Sequence, residues 1–302
     1  MVRGHFRQGV ALDVELVLDT RAQIGESALW VAEENALYWT DIKAPALYRT
    51  SLDDLQTQSW RLPADIGAFA LDGSGRALVA LRTGLFWLHL ATGAMTLVAD
   101  APFDPGLVRF NEGACDRSGR FWIGIMTDPL DEAASDATGL LYSFRTDEGL
   151  LAHPDICTLT NGMAWNADES VFYLAHSFER QIFSFAYADG RLGARKEFAY
   201  VSEPKGIPDG AAVDVDGGYW SAIHGAGCLH RYTERGVLDK VVALPVSQPT
   251  MCCFAGFALD ELYVTTAREK LTPMQLDSEP YAGGLFRLKP GISGQKKHWR
   301  VA

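Results

Sequence analysis

The sequence predicts an all-β fold: a six-bladed β-propeller with four-stranded antiparallel blades, its ring closed by the N-terminal strand. Three observations carry this reading. Six short aromatic and β-branched runs resemble one another: LYWTDI at 37, ALVAL at 77, FWIGIM at 121, FYLAHS at 172, YWSAIH at 219 and LYVTTA at 262. They recur at intervals of 40, 44, 51, 47 and 43 residues, a period that accommodates about four short strands per repeat. Each run is followed by a second strand-like segment, and no long stretch carries a helical apolar period.

The elements follow in order. ALDVELVLD, residues 11–19, precedes the first repeat and has no blade of its own. It is expected to complete the last blade, which removes the exposed sheet edges. The second segments of the repeats are LYRTSL at 47, LFWLHL at 85, LLYSF at 140, IFSFAY at 182, CLHRY at 228 and LFRL at 285. Turn-forming stretches stand before most first runs: LDGSG at 71, CDRSG at 115, WNADE at 165 and VDVDGG at 213. Six repeats fill the chain, so residues 1–302 read as a single domain with blades over about 11–295. Two parallel β-sandwich domains are the alternative architecture.

Composition narrows the function classes. The chain has 302 residues, 48% of them hydrophobic, with 27 basic against 38 acidic residues and a formal charge of −11. That balance speaks against nucleic acid, whose binding needs clustered Lys and Arg. No 18 apolar residues run together and MVRGHFRQGVALDVEL has no long apolar core, so neither a membrane span nor export is expected. Cysteines 115, 157, 228, 252 and 253 form no C-x-x-C pair and no even framework. Reduced thiols in a cytoplasmic protein, a monomer or weak homo-oligomer, are the expectation.

The stretch GIPDGAAVDVDGG at 206–218 contains three aspartates. A calcium-binding helix–loop–helix is excluded, because Gly218 and Gly225 occupy positions that require oxygen ligands. Asp214 lies five residues before its run, as do Asp72 and Asp116, with Asn166 within one residue of that place. Such a recurring position suits an Asx-turn, and Asp216 aligns with Ser74 and Ser118. Asp209 lies ten residues before its run, where the other repeats offer Ser27 beside Glu26, then Gly67, Asn111, Asn161 or Gly162, and Cys252. Equivalent positions of a propeller face one axial channel, which brings Glu26, Asn111, Asn161 and Asp209 together from four blades. Two carboxylates and two amides suit an oxygen-loving cation. The simpler alternative is a polar channel filled with water.

At these residues the chain resembles the SMP-30/gluconolactonase/regucalcin-like family. The resemblance runs over roughly 20–290 through GESALWVAEENALYWTDI, RFNEGACDRSGRFWIG, NGMAWNADESVFYL, GIPDGAAVDVDGGYW and CCFAGFALDELYVTTAR. It implies a six-bladed propeller that binds one divalent metal in its channel and hydrolyses sugar lactones. It further implies Glu26, Asn161 and Asp209 as metal ligands, Asp209 as general base, and Arg109 and Asn111 in the substrate pocket. Ca²⁺ is the first choice of ion, with Zn²⁺, Mg²⁺, Mn²⁺ or Fe²⁺ as alternatives. Glu112 stands where the family usually shows Asp, and His176 where Asp is frequent. The family's acidic pocket residue after the third run has no clean match; Asp128, with Pro129 beyond it, is nearest. His176 and His224 end or follow runs and are candidates to face the pocket, His224 as a substrate contact. Arg109, Lys205 and His224 are the cationic or titratable groups that an acidic lactone would meet.

Other classes fare less well. No G-x-S-x-G occurs, which argues against a serine hydrolase. Cys252 falls at a channel-facing repeat position but reads as a small buried residue rather than a nucleophile. The competing function is a non-catalytic calcium-binding or regulatory propeller of the regucalcin type, since fold alone does not fix activity. A propeller hydrolase of phosphotriesters or aryl esters would call for further calcium ligands and a histidine dyad, neither of which is apparent.

Overall fold

In each repeat the first strand carries apolar side chains on both faces, so it can be stable only where both faces are covered. In the computed structural model, which describes residues 12–128, 141–153 and 159–302, this is what is found. The inner strands are Gly25–Val31, Ile66–Leu71, Val108–Cys115, Thr160–Trp165, Ile207–Val213 and Pro249–Ala255. They are buried almost throughout and contact one another in sequence around the axis. Outer strands such as Thr57–Arg61 and Arg191–Tyr200 are largely exposed. Six four-stranded antiparallel sheets stand in a ring, the six-bladed propeller expected from the repeat. Ala11, Pro129, Leu140 and Cys157 lie outside the described residues.

The ring closes as anticipated. Val14–Leu18 pairs antiparallel with Leu285–Leu288, Val14 opposite Leu288 and Leu16 opposite Phe286, and becomes the outermost strand of the last blade. The hydrophobic core is divided into six wedges, one between each pair of neighbouring blades. Aromatic residues fill them: Trp122 and Phe172 between the third and fourth blades, Tyr173 and Tyr219 between the fourth and fifth. Among the described residues no helix is long and apolar enough to cross a membrane.

The C-terminal tail crosses one end of the channel. It bridges Gly294 to Asp214, His298 to Cys115 and Arg300 to Leu71, each at or just past the downstream end of an inner strand. That leaves the upstream ends, where Glu26, Asn111, Asn161 and Asp209 lie, as the open mouth.

The turn aspartates are structural. Asp214 is fully buried and accepts from the backbone N–H groups of Asp216 (3.1 Å) and Gly218 (2.8 Å), from Trp220 Nε1 (2.7 Å) and from Arg231 Nε (2.6 Å). Asp72 and Asp116 accept from backbone N–H groups two and four residues on, and Asn166 Oδ1 accepts from Val171 N. Removing the carboxylate would strand a buried indole N–H and two amides and take from the half-buried Arg231 one of its two carboxylate partners. Asp214→Ala is therefore expected to cost about 3–5 kcal/mol of unfolding free energy. Asp216→Ala, at an exposed side chain, should stay within about 0.5 kcal/mol. Paired urea titrations check both; equal midpoints for the two variants would refute the distinction.

Candidate functional site

What aims four polar side chains into the channel is a β-bulge repeated around the ring. The pairing register shifts between Glu26 and Leu29, Ile66 and Ala68, Phe110 and Gly113, Asn161 and Ala164, Pro208 and Ala211, and Pro249 and Met251. An extra residue on one strand re-aims side chains locally, and here it does so six times at one height. In the fourth blade the bulge requires Gly162, with φ +64° and a position where a Cβ would lie 2.3 Å from the Tyr219 hydroxyl. In the second blade Gly67 supplies no ligand; a Cβ there would fall 2.2 Å from the Phe110 backbone.

The bulge also corrects one expectation. Cys252 does not face the channel: its Sγ contacts the Trp220 carbonyl at 3.7 Å, inside the wedge between the fifth and sixth blades. Thr250 lines the cavity instead, from within the bulge between Pro249 and Met251. Burial pushes the Cys252 thiol far above its ordinary pKa, which leaves it an inert packing residue. Cys115, Cys228 and Cys253 are likewise buried free thiols.

The mouth is a cavity of about 180 Å³. Glu26, Arg109, Asn111, Asn161, Asp209, Asp128 and His224, all anticipated from sequence, line it. Lys43, Gln248, Thr250, Glu269 and Lys270 line it as well and were not anticipated. Lys205 is exposed and His176 is buried beside Glu179, with Nδ1 2.8 Å from its Oε2. Neither lines the cavity, so the expectations that His176 faces the pocket and that Lys205 meets an acidic lactone are not met.

The amides form a chain. Arg109 Nη1 donates to Asn111 Oδ1 at 2.9 Å, and Asn111 Nδ2 donates to Asn161 Oδ1 at 2.6 Å. Asn161 Nδ2 donates to Ser177 Oγ at 2.9 Å, and that hydroxyl donates to the Pro208 carbonyl at 2.7 Å. Since Ser177 uses its proton on Pro208, the Asn161 amide is oriented with its oxygen toward the channel. Glu112, beneath it, accepts from Gly162 N (2.6 Å) and Met163 N (2.7 Å) and so braces the bulge that carries Asn161. The Glu112 side chain thereby bridges the third and fourth blades.

Burial pushes the Glu26 carboxyl up to about 8, reinforced by the nearby Glu112. Asp209 is also raised well above the usual carboxylate range, by burial first and then by Glu26 and Glu112. Burial likewise raises Glu112, to about 7. Two buried carboxylates and the half-buried Asp209 in one channel make a site short of positive charge. Among the described residues no three His, Cys, Asp or Glu side chains form a metal-type cluster. The donor set is instead two carboxylates, Glu26 and Asp209, with the amide oxygen of Asn161, all hard oxygens that fit a divalent ion such as Ca²⁺.

The rim is built from ion pairs. Asp128 is held by Lys43 Nζ at 2.6 Å, by Arg82 Nη2, and by Arg109 Nε at 3.4 Å. Asp65 joins Lys43 (2.7 Å) to Arg82 (3.0 Å). Burial alone would raise the Asp128 carboxyl, but Lys43 and Arg109 hold it below the usual range. Asp128 thus enters the cavity as an ionised group already engaged by three cations. Across the mouth, burial lowers the His224 imidazole to about 4, so it is neutral at working pH. Its Nδ1 stands 3.8 Å from Asp209 Oδ2, too far for a hydrogen bond.

Comparison with known proteins finds similarity along most of the chain. The family described as SMP-30/Gluconolactonase/LRE-like region matches residues 24–268. An L-arabinolactonase of Azospirillum brasilense is 37% identical over 278 residues, covering 90% of each chain. A regucalcin of Gallus gallus is 30% identical over 289 residues, covering 94% of this chain and 97% of its own. Among solved structures, a calcium-binding regucalcin from Agrobacterium tumefaciens superposes with a TM-score of 0.88 at 24% identity, covering 96% and 97%. At that identity the match speaks for the fold.

Proposed function

Because the chain belongs to the SMP-30/gluconolactonase/LRE-like family, we propose that it hydrolyses a sugar lactone to the corresponding aldonic acid at the open mouth of its channel. The observation that carries this reading is the convergence of Glu26, Asn161 and Asp209 with Arg109 and Asn111 from four blades onto one cavity. A scaffold would need no such concentration of enclosed polar groups. Glu26, Asn161 and Asp209 would hold one divalent ion, Ca²⁺ by first preference, with Zn²⁺, Mg²⁺, Mn²⁺ or Fe²⁺ accepted by the same oxygens. Such an ion, when bound, polarises a carbonyl and acidifies water.

The chain's own groups account for the remaining steps. Asp209 orients the attacking water and takes its proton as the water oxygen bonds to the lactone carbonyl carbon. Arg109, held by its Nη1 bonds to Asn111 Oδ1 and the Phe110 carbonyl, presents its remaining N–H groups to the oxygen on which negative charge grows, while Asn111, whose amide hydrogens go to Asn161 and the Thr160 carbonyl, positions it. The ring C–O bond then breaks, and the departing alkoxide takes the proton held by Asp209 to become the hydroxyl of the open acid. Asp128 contacts substrate hydroxyls as an acceptor, its charge balanced by the rim cations, and His224 does so as a neutral imidazole.

A second reading, a calcium-binding regulatory propeller without turnover, is favoured by the 30% identity to regucalcin over nearly the whole chain. A pH-indicator screen separates the two. Metal-free protein is resupplied with each ion and offered arabinono-, xylono-, galactono- and gluconolactone; the L-arabinolactonase likeness puts the five-carbon lactones first. The expected result is acid release with kcat/KM on the order of 10⁴ M⁻¹s⁻¹ or more for at least one lactone. Tight Ca²⁺ binding with no hydrolysis above the spontaneous rate would establish the second reading instead.

A further inference from the structure

Most polar groups of the cavity already have partners within the protein. Arg109 and Asn111 are tied to each other and to the backbone, Asn161 to Ser177, and Asp128 to Lys43 and Arg82. On the wall formed by the fifth and sixth blades, two enclosed polar atoms have none: His224 Nδ1 and Gln248 Oε1. Neither position is accidental. His224 ends the strand Tyr219–His224. The turn that follows is stitched to the residue before Gln248, with Gly225 N and Gly227 N donating to the Ser247 carbonyl at 2.9 and 3.0 Å. Ser247 N donates to Glu279 Oε2 at 2.6 Å, and the Gln248 carbonyl accepts from Ala267 N at 2.8 Å. Backbone bonds on both sides thus fix Gln248 at the mouth.

The chemistry of the two atoms indicates what they await. Gln248 Oε1 is an amide oxygen and can only accept; His224 Nδ1 is a ring nitrogen that can exchange a hydrogen bond with a hydroxyl. Enclosed polar atoms without partners are costly, and an amide oxygen beside a ring nitrogen on one wall calls for O–H groups. A carboxylate cannot supply these; a sugar hydroxyl can.

We infer that Gln248, together with His224, reads a hydroxyl group of the substrate and so determines which polyhydroxy lactone is accepted. This rests on the lactonase reading and adds to it a residue on the wall opposite the Asp128 rim. A site built to bond a hydroxyl discriminates strongly against the analogue lacking it. The wall should therefore favour neutral aldonolactones over lactones that carry a carboxylate at the same place.

The test compares the best lactone from the screen with its mono-deoxy analogues, using wild type, Gln248→Met, Gln248→Leu and His224→Phe. Wild type is expected to lose about tenfold or more in kcat/KM on one deoxy analogue. The Gln248 variants should lose a similar factor on the parent lactone, mainly through KM, and little further on that analogue. A uniform loss on every lactone, or no loss, would overturn the inference while leaving the lactonase reading intact. Should the variants fail to fold, wild-type rates alone decide, because the absence of tenfold discrimination against every deoxy analogue also overturns it. Wild-type protein inert on all lactones removes the lactonase reading first, and this inference with it.

Discussion

Asp209→Asn is expected to lower kcat/KM on a sugar lactone by about a thousandfold or more, while the protein remains folded. The substitution keeps the volume and removes only the charge and the basicity. Burial and the neighbouring Glu26 and Glu112 oppose the Asp209 charge, and the Gly210 backbone and the Arg109 guanidinium offset this only in part. Neutralising it therefore relieves repulsion, and the metal-free variant should melt no lower than metal-free wild type. Asp214→Ala is the opposite case, since it loses stability through stranded partners five residues away from any chemistry. Initial rates and thermal melts on the same preparations measure both quantities. Activity of Asp209→Asn within tenfold of wild type would remove Asp209 from the mechanism.

The contrast between these aspartates was legible in the chain because a propeller writes its geometry six times. The runs at 37, 77, 121, 172, 219 and 262 each coincide with the second strand of a blade, and the turn aspartates recur at a fixed offset from them. Glu26, Asn111, Asn161 and Asp209 could be aligned for the same reason. Counting failed where the backbone departs from even pairing. In the sixth blade the residue within the bulge is Thr250 and not Cys252, and a two-against-one mismatch leaves no mark in residue types. The rim was not legible for another reason. Lys43, Asp65 and Arg82 come from loops and strand ends outside the repeated pattern, and their ion pairs with one another and with the anticipated Asp128 exist only once the ring has closed. Gln248 belongs to this class: a glutamine in a loop carries no signal until its enclosed oxygen is found without a partner.

Removal of the divalent ion should abolish hydrolysis and reverse the pH dependence of stability that the bound ion imposes. In metal-free protein Glu26 titrates near 8 when folded, against an unfolded value near 4.5. Between those values the folded state binds more protons than the unfolded state, so stability falls as pH rises through that window. Asp209 is shifted in the same direction and steepens the fall. A cation between the two carboxylates favours their charged forms, so its binding strengthens as pH rises and it stabilises the native state by mass action. Melts of stripped protein from pH 5 to pH 8 should show the midpoint descending. Added Ca²⁺ should raise it by several degrees at pH 8 and by much less at pH 5, and hydrolysis should return with the ion. Glu26→Gln should show neither the descent attributable to Glu26 nor the full Ca²⁺ response. A Ca²⁺-induced shift of equal size at both ends of the range would place the ion elsewhere than between Glu26 and Asp209.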